Sequence, residues 1–248
     1  MLYEFLPLKT GNWPRNLTNS KKRWLVRLKR RQEKLVPDPK FSPPPDPGLE
    51  QAVELLRRGG VIAFPTETFY GLAVDPGNER ALEKLYRLKG RHQSKPILVL
   101  VDDQQKLAEL VTSVPSCYLP LIAEFWPGPL TLVFDSRPEL SPLLTAGTST
   151  LGVRISSNPV AADFVRLAGI PVTATSGNRS GYSPAVSPEE VAEQFPTGLD
   201  YIVDGGTTAG GQPSTIVGCH NDRPVIFRHG AVAESEILRC LAQSRKPG

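Results

Sequence analysis

The chain has 248 residues, of which 40% are hydrophobic and 22% are charged, and this composition is typical of an ordinary folded globular protein. No apolar run approaches the roughly 20 residues that a membrane helix needs, and residues 1–8 lack the long apolar segment of a secretory signal. We therefore expect no membrane partner, and either one large α/β domain or two small ones.

The net charge of +4 is distributed unevenly along the chain. Residues 1–48 hold 11 Lys and Arg against 4 Asp and Glu, whereas residues 49–248 hold 18 against 21. Within the first segment, residues 21–34 predict a short basic helix, and residues 37–47 are too rich in proline for a helix or a central strand. We predict that residues 1–48 form a basic, proline-rich N-terminal extension, either an RNA-contacting arm or a poorly ordered appendage, and that residues 49–248 form the folded body.

Helical and strand patterns mingle along the body. Asn78, Asn158 and Ser187 are predicted N-caps, and Gly59 and Gly90 are predicted to end helices. We predict helices over about 49–56, 79–89, 104–111, 117–125, 159–168, 188–195 and 234–242, and strands over about 61–64, 97–101, 130–134, 151–155, 170–175, 201–203, 214–217 and 225–228. This order favours an α/β fold of α+β character, in which helices pack on a twisted mixed sheet around a concave ligand cavity. Residues 136–150 are rich in Pro, Ser, Thr and Gly and predict a mobile loop over the site.

Several polar segments follow the predicted apolar strands. They are residues 66–70, 154–156, 176–178 and 214–215, together with the basic turn of Lys89, Arg91 and Lys95 and the late Arg228. The set is rich in hydroxyls and cations but offers no convincing acid–base pair, since Glu67 is the only carboxylate beside it and equally fits a solvated turn. Such a set suits phosphoryl or nucleotidyl transfer, in which the protein positions reactants and neutralises spreading charge. Because no phosphate-binding glycine loop and no hydrolase elbow occur, the residues alone indicate an anion-binding enzyme that uses a nucleotide, and a solvated basic turn stays the plainer alternative for each cation.

Cysteine and histidine patterns give no metal-binding signal. Cys117, Cys219 and Cys240 are far apart in the sequence and form no Cys-x-x-Cys pair, and the three histidines show no i, i+4 pairing. We therefore expect reduced thiols in a cytoplasmic protein and no zinc site built by protein side chains.

Seven segments, taken in order, resemble the YrdC-like family of threonylcarbamoyl-AMP synthases. They are residues 60–72, 88–96, 126–131, 152–155, 175–181, 213–216 and 227–230. The family signature of Lys-x-Arg followed much later by Ser-x-Asn is matched by Lys89, Arg91, Ser176 and Asn178. Two departures are mild: Gly177 stands where the family usually has Ala, and Ile97 where it usually has Leu.

The resemblance implies a YrdC-like fold and a nucleotidyltransferase activity. L-threonine, bicarbonate and ATP would give threonylcarbamoyl-AMP and pyrophosphate, with Mg²⁺ bound through ATP and not by protein ligands. Other proteins would then pass the threonylcarbamoyl group to the tRNA adenosine next to the anticodon. Two alternatives stay open: a binder of double-stranded RNA or tRNA without synthase activity, and a paralogue with another carbamoyl or acyl substrate.

The resemblance also implies roles for individual residues. The catalytic residues would be Lys89, Arg91, Ser176 and Asn178. ATP would contact Lys89, Arg91, Lys95, Ser156, Asn178, Ser214 and Arg228. Threonine would contact Thr66, Tyr70, Arg154 and Ser176, with the planar guanidinium of Arg154 pairing with a carboxylate.

Overall fold

The computed structural model describes residues 47–244. The basic helix predicted over residues 21–34 and nearly all of the proline-rich segment lie outside the described residues. Within residues 47–244, no helix combines the length and apolar character needed to cross a bilayer.

Helices and strands alternate irregularly. Most of their bounds lie close to the predicted ones, whereas the strand at residues 71–73 and the short helix at residues 142–145 were not predicted. The helices are α1 (Pro47–Arg57), α2 (Glu79–Lys89), α3 (Gln104–Leu110), α4 (Tyr118–Phe125), α5 (Pro142–Thr145), α6 (Pro159–Ala168), α7 (Pro188–Gln194) and α8 (Glu234–Ser244). The strands are β1 (Ile62–Phe64), β2 (Gly71–Ala73), β3 (Val99–Leu100), β4 (Leu130–Asp135), β5 (Thr150–Arg154), β6 (Val172–Thr173), β7 (Thr175–Ser176), β8 (Tyr201–Ile202), β9 (Thr215–His220) and β10 (Arg223–Arg228).

The strands form two mixed sheets. The smaller sheet has the order β7-β2-β1-β8, in which β1 is antiparallel to β2 and parallel to β8. The larger sheet has the order β10-β9-β4-β5-β3-β6 and also contains both parallel and antiparallel pairs. The mixed α/β class predicted from the sequence is confirmed, with two sheets where one was expected.

The apolar run at residues 170–175 contributes one strand to each of the two sheets. It was predicted as one strand, but β6 pairs with β3 of the larger sheet and β7 pairs with β2 of the smaller sheet. Thr173 joins the two sheets, because its hydroxyl accepts from Val74 N at 2.8 Å and its own N donates to Val74 O at 3.1 Å. A single short strand thus changes partners midway, and the hydrophobic pattern alone carries no sign of this.

Strand β1 is buried on both faces. Val61 and Ala63 belong to the main core, whereas Ile62 and Phe64 face a second core formed with α1 and α6. The ring of Phe64 lies 5.2 Å from that of Phe164 on α6. Burial on both faces explains why this strand is a continuous apolar run without polar alternation.

Residues 136–150 differ from the mobile loop that was predicted over the site. Ser141 caps α5, Leu144 is fully buried, and Leu144 O accepts from Ile97 N at 3.1 Å. The strand predicted over 97–101 is correspondingly shorter: Ile97 N bonds to Leu144 O, and β3 comprises Val99–Leu100. The prediction was wrong because three leucines in a segment of small and polar residues, Leu140, Leu143 and Leu144, are enough to anchor it in the core.

Candidate active site

Helix α2 places Lys89 at the centre of the candidate site. Asn78 Oδ1 caps the helix by accepting from Ala81 N at 3.1 Å, and the helix ends at Gly90, whose φ of +58° favours glycine. Lys89 occupies the last turn and is 3% exposed. The local sequence therefore delivers a lysine ammonium into the protein interior at a fixed helix end.

The buried ammonium of Lys89 joins the two halves of the signature. Lys89 Nζ donates to the main-chain oxygen of Ser176 and to that of Asn178, the latter at 2.6 Å. Ser180 N in turn donates to Lys89 O at 2.9 Å. In its protonated form Lys89 has three N–H donors, so one remains for a ligand after these two bonds.

The turn after β7 holds Asn178 rigidly. Its Nδ2 donates to Arg179 O at 2.9 Å and to Tyr182 O at 2.7 Å, and the residue is 8% exposed. Ser176, two residues earlier at the end of β7, is exposed. The turn therefore offers a hydroxyl to solvent and an amide oxygen beside it.

Burial controls the protonation of Lys89. Desolvation, and secondarily the neighbouring Arg91, lowers the pKa of Lys89 from its ordinary 10.5 to about 7. The group is therefore poised to gain a proton when an anion arrives.

Arg91 and Lys95 belong to the loop that follows α2. Arg91 donates from Nη2 to Pro96 O at 2.9 Å and from Nε to Lys95 O at 3.3 Å, and burial lowers the pKa of its guanidinium. Lys95 itself is exposed. Arg91 thus closes its own loop while it stays beside Lys89, and Lys95 lies at the surface.

The β1–β2 loop, residues 65–70, is held by main-chain contacts. Thr66 Oγ1 donates to Phe69 O at 2.7 Å, and Gly177 N donates to Tyr70 O at 2.6 Å. The hydroxyl of the fully buried Tyr70 donates to Gly206 O at 2.8 Å, and burial raises its pKa. The Tyr70 hydroxyl is therefore engaged by the glycine-rich segment after β8.

Glu67, at the tip of this loop, pairs with the residues that end β5. Arg154 Nη1 donates to Glu67 Oε1 at 2.7 Å, and Ser156 Oγ donates to Glu67 Oε2. The side chains of Arg154 and Glu67 are 4% and 11% exposed. Arg154 therefore already pairs with a carboxylate of the chain itself, 87 residues away.

Arg228, at the end of β10, contacts Ser214. It donates to Ser214 O from Nη2 at 2.8 Å and from Nε at 3.2 Å, and Ser214 Oγ lies 2.9 Å from Thr131 Oγ1. Burial, and secondarily the positive charge of Arg154, lowers the pKa of Arg228. Thr131 was missed in the sequence because only the pairing of β4 with β9 brings it here.

Polar atoms without partners lie in both parts of the site. Among the side chains of residues 48–244, the buried N and O atoms that lack a hydrogen-bond partner are Arg154 Nε and Asn178 Oδ1. An unsatisfied buried polar atom costs about 1–3 kcal/mol, so each of these two atoms calls for a partner from outside the chain, such as water or a ligand.

These contacts form two polar groups, one around Lys89 and Asn178 and one around Arg154 and Arg228. The loop of residues 65–70 bonds to both, through Tyr70 O on one side and Glu67 on the other. The basic side chains of these groups are Lys89, Arg91, Arg154 and Arg228, and Glu67 is the carboxylate paired with them in these contacts. An excess of basic over acidic side chains suits an anionic ligand, so the site is that of an anion-binding α/β protein.

The chain belongs to the Sua5/YciO/YrdC family, whose model, described as "Telomere recombination", matches residues 54–230. It is similar to the threonylcarbamoyl-AMP synthase of Bacillus subtilis, with 39% identity over 77% of this chain and 56% of that protein. It is also similar to the threonylcarbamoyl-AMP synthase of Thiobacillus denitrificans, with 37% identity over 69% of this chain and 89% of that protein. Among solved structures, P. abyssi Sua5 complexed with L-threonine aligns with a TM-score of 0.75 and 33% identity, covering 77% of this chain and 56% of that one. The family and the YrdC-like fold inferred from the seven segments are confirmed.

The chain spans about half the length of several of these relatives, between 52% and 57% for the proteins of Bacillus subtilis, Pyrococcus abyssi and Schizosaccharomyces pombe.

Proposed function

We propose that this chain is a threonylcarbamoyl-AMP synthase, a nucleotidyltransferase that uses ATP, L-threonine and bicarbonate. The observation that carries the proposal is the position of Lys89 Nζ, which bonds to the main chain of both Ser176 and Asn178. The two halves of the signature, almost 90 residues apart, are assembled around one buried ammonium.

The comparisons support this activity in two ways. Relatives from bacteria, an archaeon and a yeast carry the same name. The chain also covers 89% of the Thiobacillus denitrificans protein of that name, so a chain of about this length suffices for the activity named there.

In the proposed complex, the phosphates of ATP bind near α2. The free donor of Lys89 and the remaining donors of Arg91 face the phosphates, with the exposed Lys95 able to reach them from the surface. Asn178 Oδ1 accepts from the nucleotide. Mg²⁺ is carried by the phosphates, as is usual for this ion, and neutralises part of the departing pyrophosphate.

The adenylate end of the nucleotide is assigned to Ser214, Arg228 and Ser156. The clustered positive charges of Arg228 and Arg154 suit the α-phosphate, where charge changes during the reaction.

L-threonine is assigned to the face of the 65–70 loop. Its carboxylate meets Arg154, whose Nε is buried without a partner, and its amine and hydroxyl lie toward Thr66 and Ser176. Glu67 then keeps Arg154 in place while the substrate binds. Tyr70 takes a supporting role, since its hydroxyl is engaged by the main chain.

The chemistry needs no acid–base pair within the protein. The threonine amine either attacks carbon dioxide and releases a proton, or attacks bicarbonate and releases water, and both routes give a carbamate. A carbamate oxygen attacks the α-phosphorus, the bond to the bridging oxygen breaks, and pyrophosphate leaves with the electron pair. The cations stabilise the charge on both phosphate groups. Transfer to a tRNA adenosine would follow on other proteins, and the use of ATP fits the cytoplasmic location expected from the sequence.

The alternatives drawn from the sequence find less support. The balance of −3 over residues 49–248, from 18 basic and 21 acidic residues, disfavours nucleic-acid binding as the main task of the body. A paralogue with a different acyl substrate would differ from the proposed synthase only in that substrate, so the assay must compare amino acids.

The decisive assay is threonine-dependent release of pyrophosphate from ATP in bicarbonate buffer. We expect release with L-threonine, little release with L-serine, and a product that contains the threonylcarbamoyl group by mass spectrometry. Absence of pyrophosphate with every amino acid would overturn the enzyme proposal. Equal rates with serine would overturn the substrate assignment alone.

A further inference from the structure

A cluster of metal-ligating side chains lies away from the candidate active site. Cys117 precedes α4, Cys219 lies on β9, and Asp222 lies in the turn between β9 and β10. The two sulfurs are 3.3 Å apart, and the ligand atoms of all three residues lie within 4.8 Å of one another. We propose that Cys117, Cys219 and Asp222 bind one thiophilic divalent cation of the Zn²⁺ class.

The hairpin turn fixes the carboxylate in this cluster. Asn221 and Asp222 have φ values of +51° and +55°, the geometry of a two-residue turn that Asn and Asp tolerate well. Asp222 accepts from Cys117 N at 3.0 Å and from Ser116 Oγ. The three ligands are therefore brought together by backbone geometry before any cation binds.

The ligand set selects the class of cation. Two thiolates and one carboxylate suit zinc and related soft or borderline ions, and they disfavour Mg²⁺ and Ca²⁺, which prefer oxygen. Two sulfurs bound to one tetrahedral zinc at about 2.3 Å lie about 3.7 Å apart. The observed separation of 3.3 Å is therefore close to that required. Water fills the fourth position, since both cysteines are only partly buried and Asp222 is exposed.

Proton release accompanies binding. A divalent cation that binds the two sulfurs as thiolates releases two thiol protons to solvent. A dithiol pair needs only the two sulfurs, whereas the Asp222 carboxylate also lies within 4.8 Å of both, which is why we assign a cation and not a redox pair.

The site would connect two elements that are distant in sequence. It ties the start of α4 to the closed end of the β9–β10 hairpin, and the open end of that hairpin carries Ser214 and Arg228. Binding of a cation to the folded chain alone would raise the melting temperature, by about 5 °C at a hundredfold excess over Kd.

The test is titration of the reduced full-length chain with Co²⁺, in a phosphine reductant that does not chelate metal. We expect one Co²⁺ per chain, a sulfur-to-cobalt charge-transfer band, and displacement of the ion by Zn²⁺. Cys219→Ser should remove the band and weaken binding at least about a hundredfold. Cys240→Ser, the matched control outside the cluster, should bind as the natural chain does.

If Cys219→Ser does not fold, Asp222→Asn provides a second test. It changes one exposed turn residue and should weaken cation binding about tenfold or more. The proposal is overturned if no charge-transfer band appears or if Cys219→Ser binds Co²⁺ equally well. It is also overturned if Cys117 and Cys219 form a disulfide under mild peroxide while the reduced chain binds no cation. None of these measurements uses pyrophosphate release, so either proposal can fail without the other.

Discussion

Proton uptake on ATP binding is the sharpest test of the role of Lys89. Its pKa of about 7, against an ordinary 10.5, corresponds to roughly 5 kcal/mol against the charged form in the ligand-free protein. A polyphosphate beside the ammonium favours the charged form again, so binding must draw a proton from solvent. At pH 8.0 about nine-tenths of the Lys89 amines are neutral before ATP arrives.

Calorimetry in two buffers of different ionisation enthalpy measures this uptake directly. At pH 8.0, where ATP is itself fully ionised, we expect the natural chain to take up about 0.9 proton per ATP bound. Lys89→Met should take up almost none, with affinity lowered about 10- to 100-fold. Lys84→Met is the matched control on the same helix, because Lys84 forms an exposed pair with Asp200. It should retain both the uptake and the affinity.

The pH dependence of folding stability is a second test of the lowered pKa of Lys89. The unfolded chain keeps Lys89 protonated up to about pH 10.5, whereas the folded chain releases the proton near pH 7. Lys89 therefore makes stability rise with pH between about 7 and 10.5, by up to about 1.4 kcal/mol per pH unit. Urea unfolding at pH 7.0 and 8.5 should show this slope, and Lys89→Met should lose it. If the natural and variant chains show the same proton uptake and the same slope, Lys89 is charged in the ligand-free fold, and its pKa is not lowered as stated.

Three substitutions test the 65–70 loop and its neighbours. Glu67→Gln should destabilise the fold by about 3 kcal/mol in urea unfolding, because it leaves the buried Arg154 without a counter-charge. Gly177→Ala should cost about 1 kcal/mol, seen as a lower melting temperature, since the added Cβ would lie 3.0 Å from Tyr70 O. Tyr70→Phe removes the bond to Gly206 O and should cost about 1–2 kcal/mol in urea unfolding.

Each of these three predictions has an outcome that would contradict it. Glu83→Gln, which removes an exposed pair with Arg87 at 3.7 Å, should change stability by less than about 0.5 kcal/mol. If Glu67→Gln and Glu83→Gln lower the free energy of unfolding by similar amounts, burial does not strengthen the pair between Glu67 and Arg154. An unchanged melting temperature in Gly177→Ala would show that Tyr70 yields to the methyl group without strain. Full stability in Tyr70→Phe would show that the hydroxyl bond is replaced by water.

The helices were predictable because their signals are local. Asn78, Asn158 and Ser187 each cap a helix by accepting from the backbone N three residues later, as their spacing indicated. The helix end at Gly90 and the position of Lys89 in the last turn were likewise predicted from adjacent residues, whereas the burial of Lys89 was not. The site residues that end helices and strands could therefore be named from the sequence.

Pairings across long separations were not predictable. Arg154 meets Glu67 across 87 residues, and Cys117 meets Cys219 across 102 residues. Glu67 was noticed in the sequence only as a carboxylate beside the site, and the cysteines, far apart in the sequence, were interpreted as reduced thiols that build no zinc site. Sequence spacing reports on contacts within one element, whereas these contacts depend on how sheets and helices are placed in space.

The cations of the candidate site share a feature that changes how their substitutions must be interpreted. Lys89, Arg91 and Arg228 each donate to main-chain carbonyl oxygens, those of Ser176 and Asn178, of Pro96, and of Ser214 respectively. Each cation therefore supports the local backbone in addition to the ligand role proposed for it. Loss of activity in an alanine variant would follow from either cause, so activity alone cannot assign a phosphate contact. For Lys89, proton uptake does separate the two causes, because a carbonyl oxygen is present before and after ATP binds, whereas the phosphate charge arrives only with the ligand.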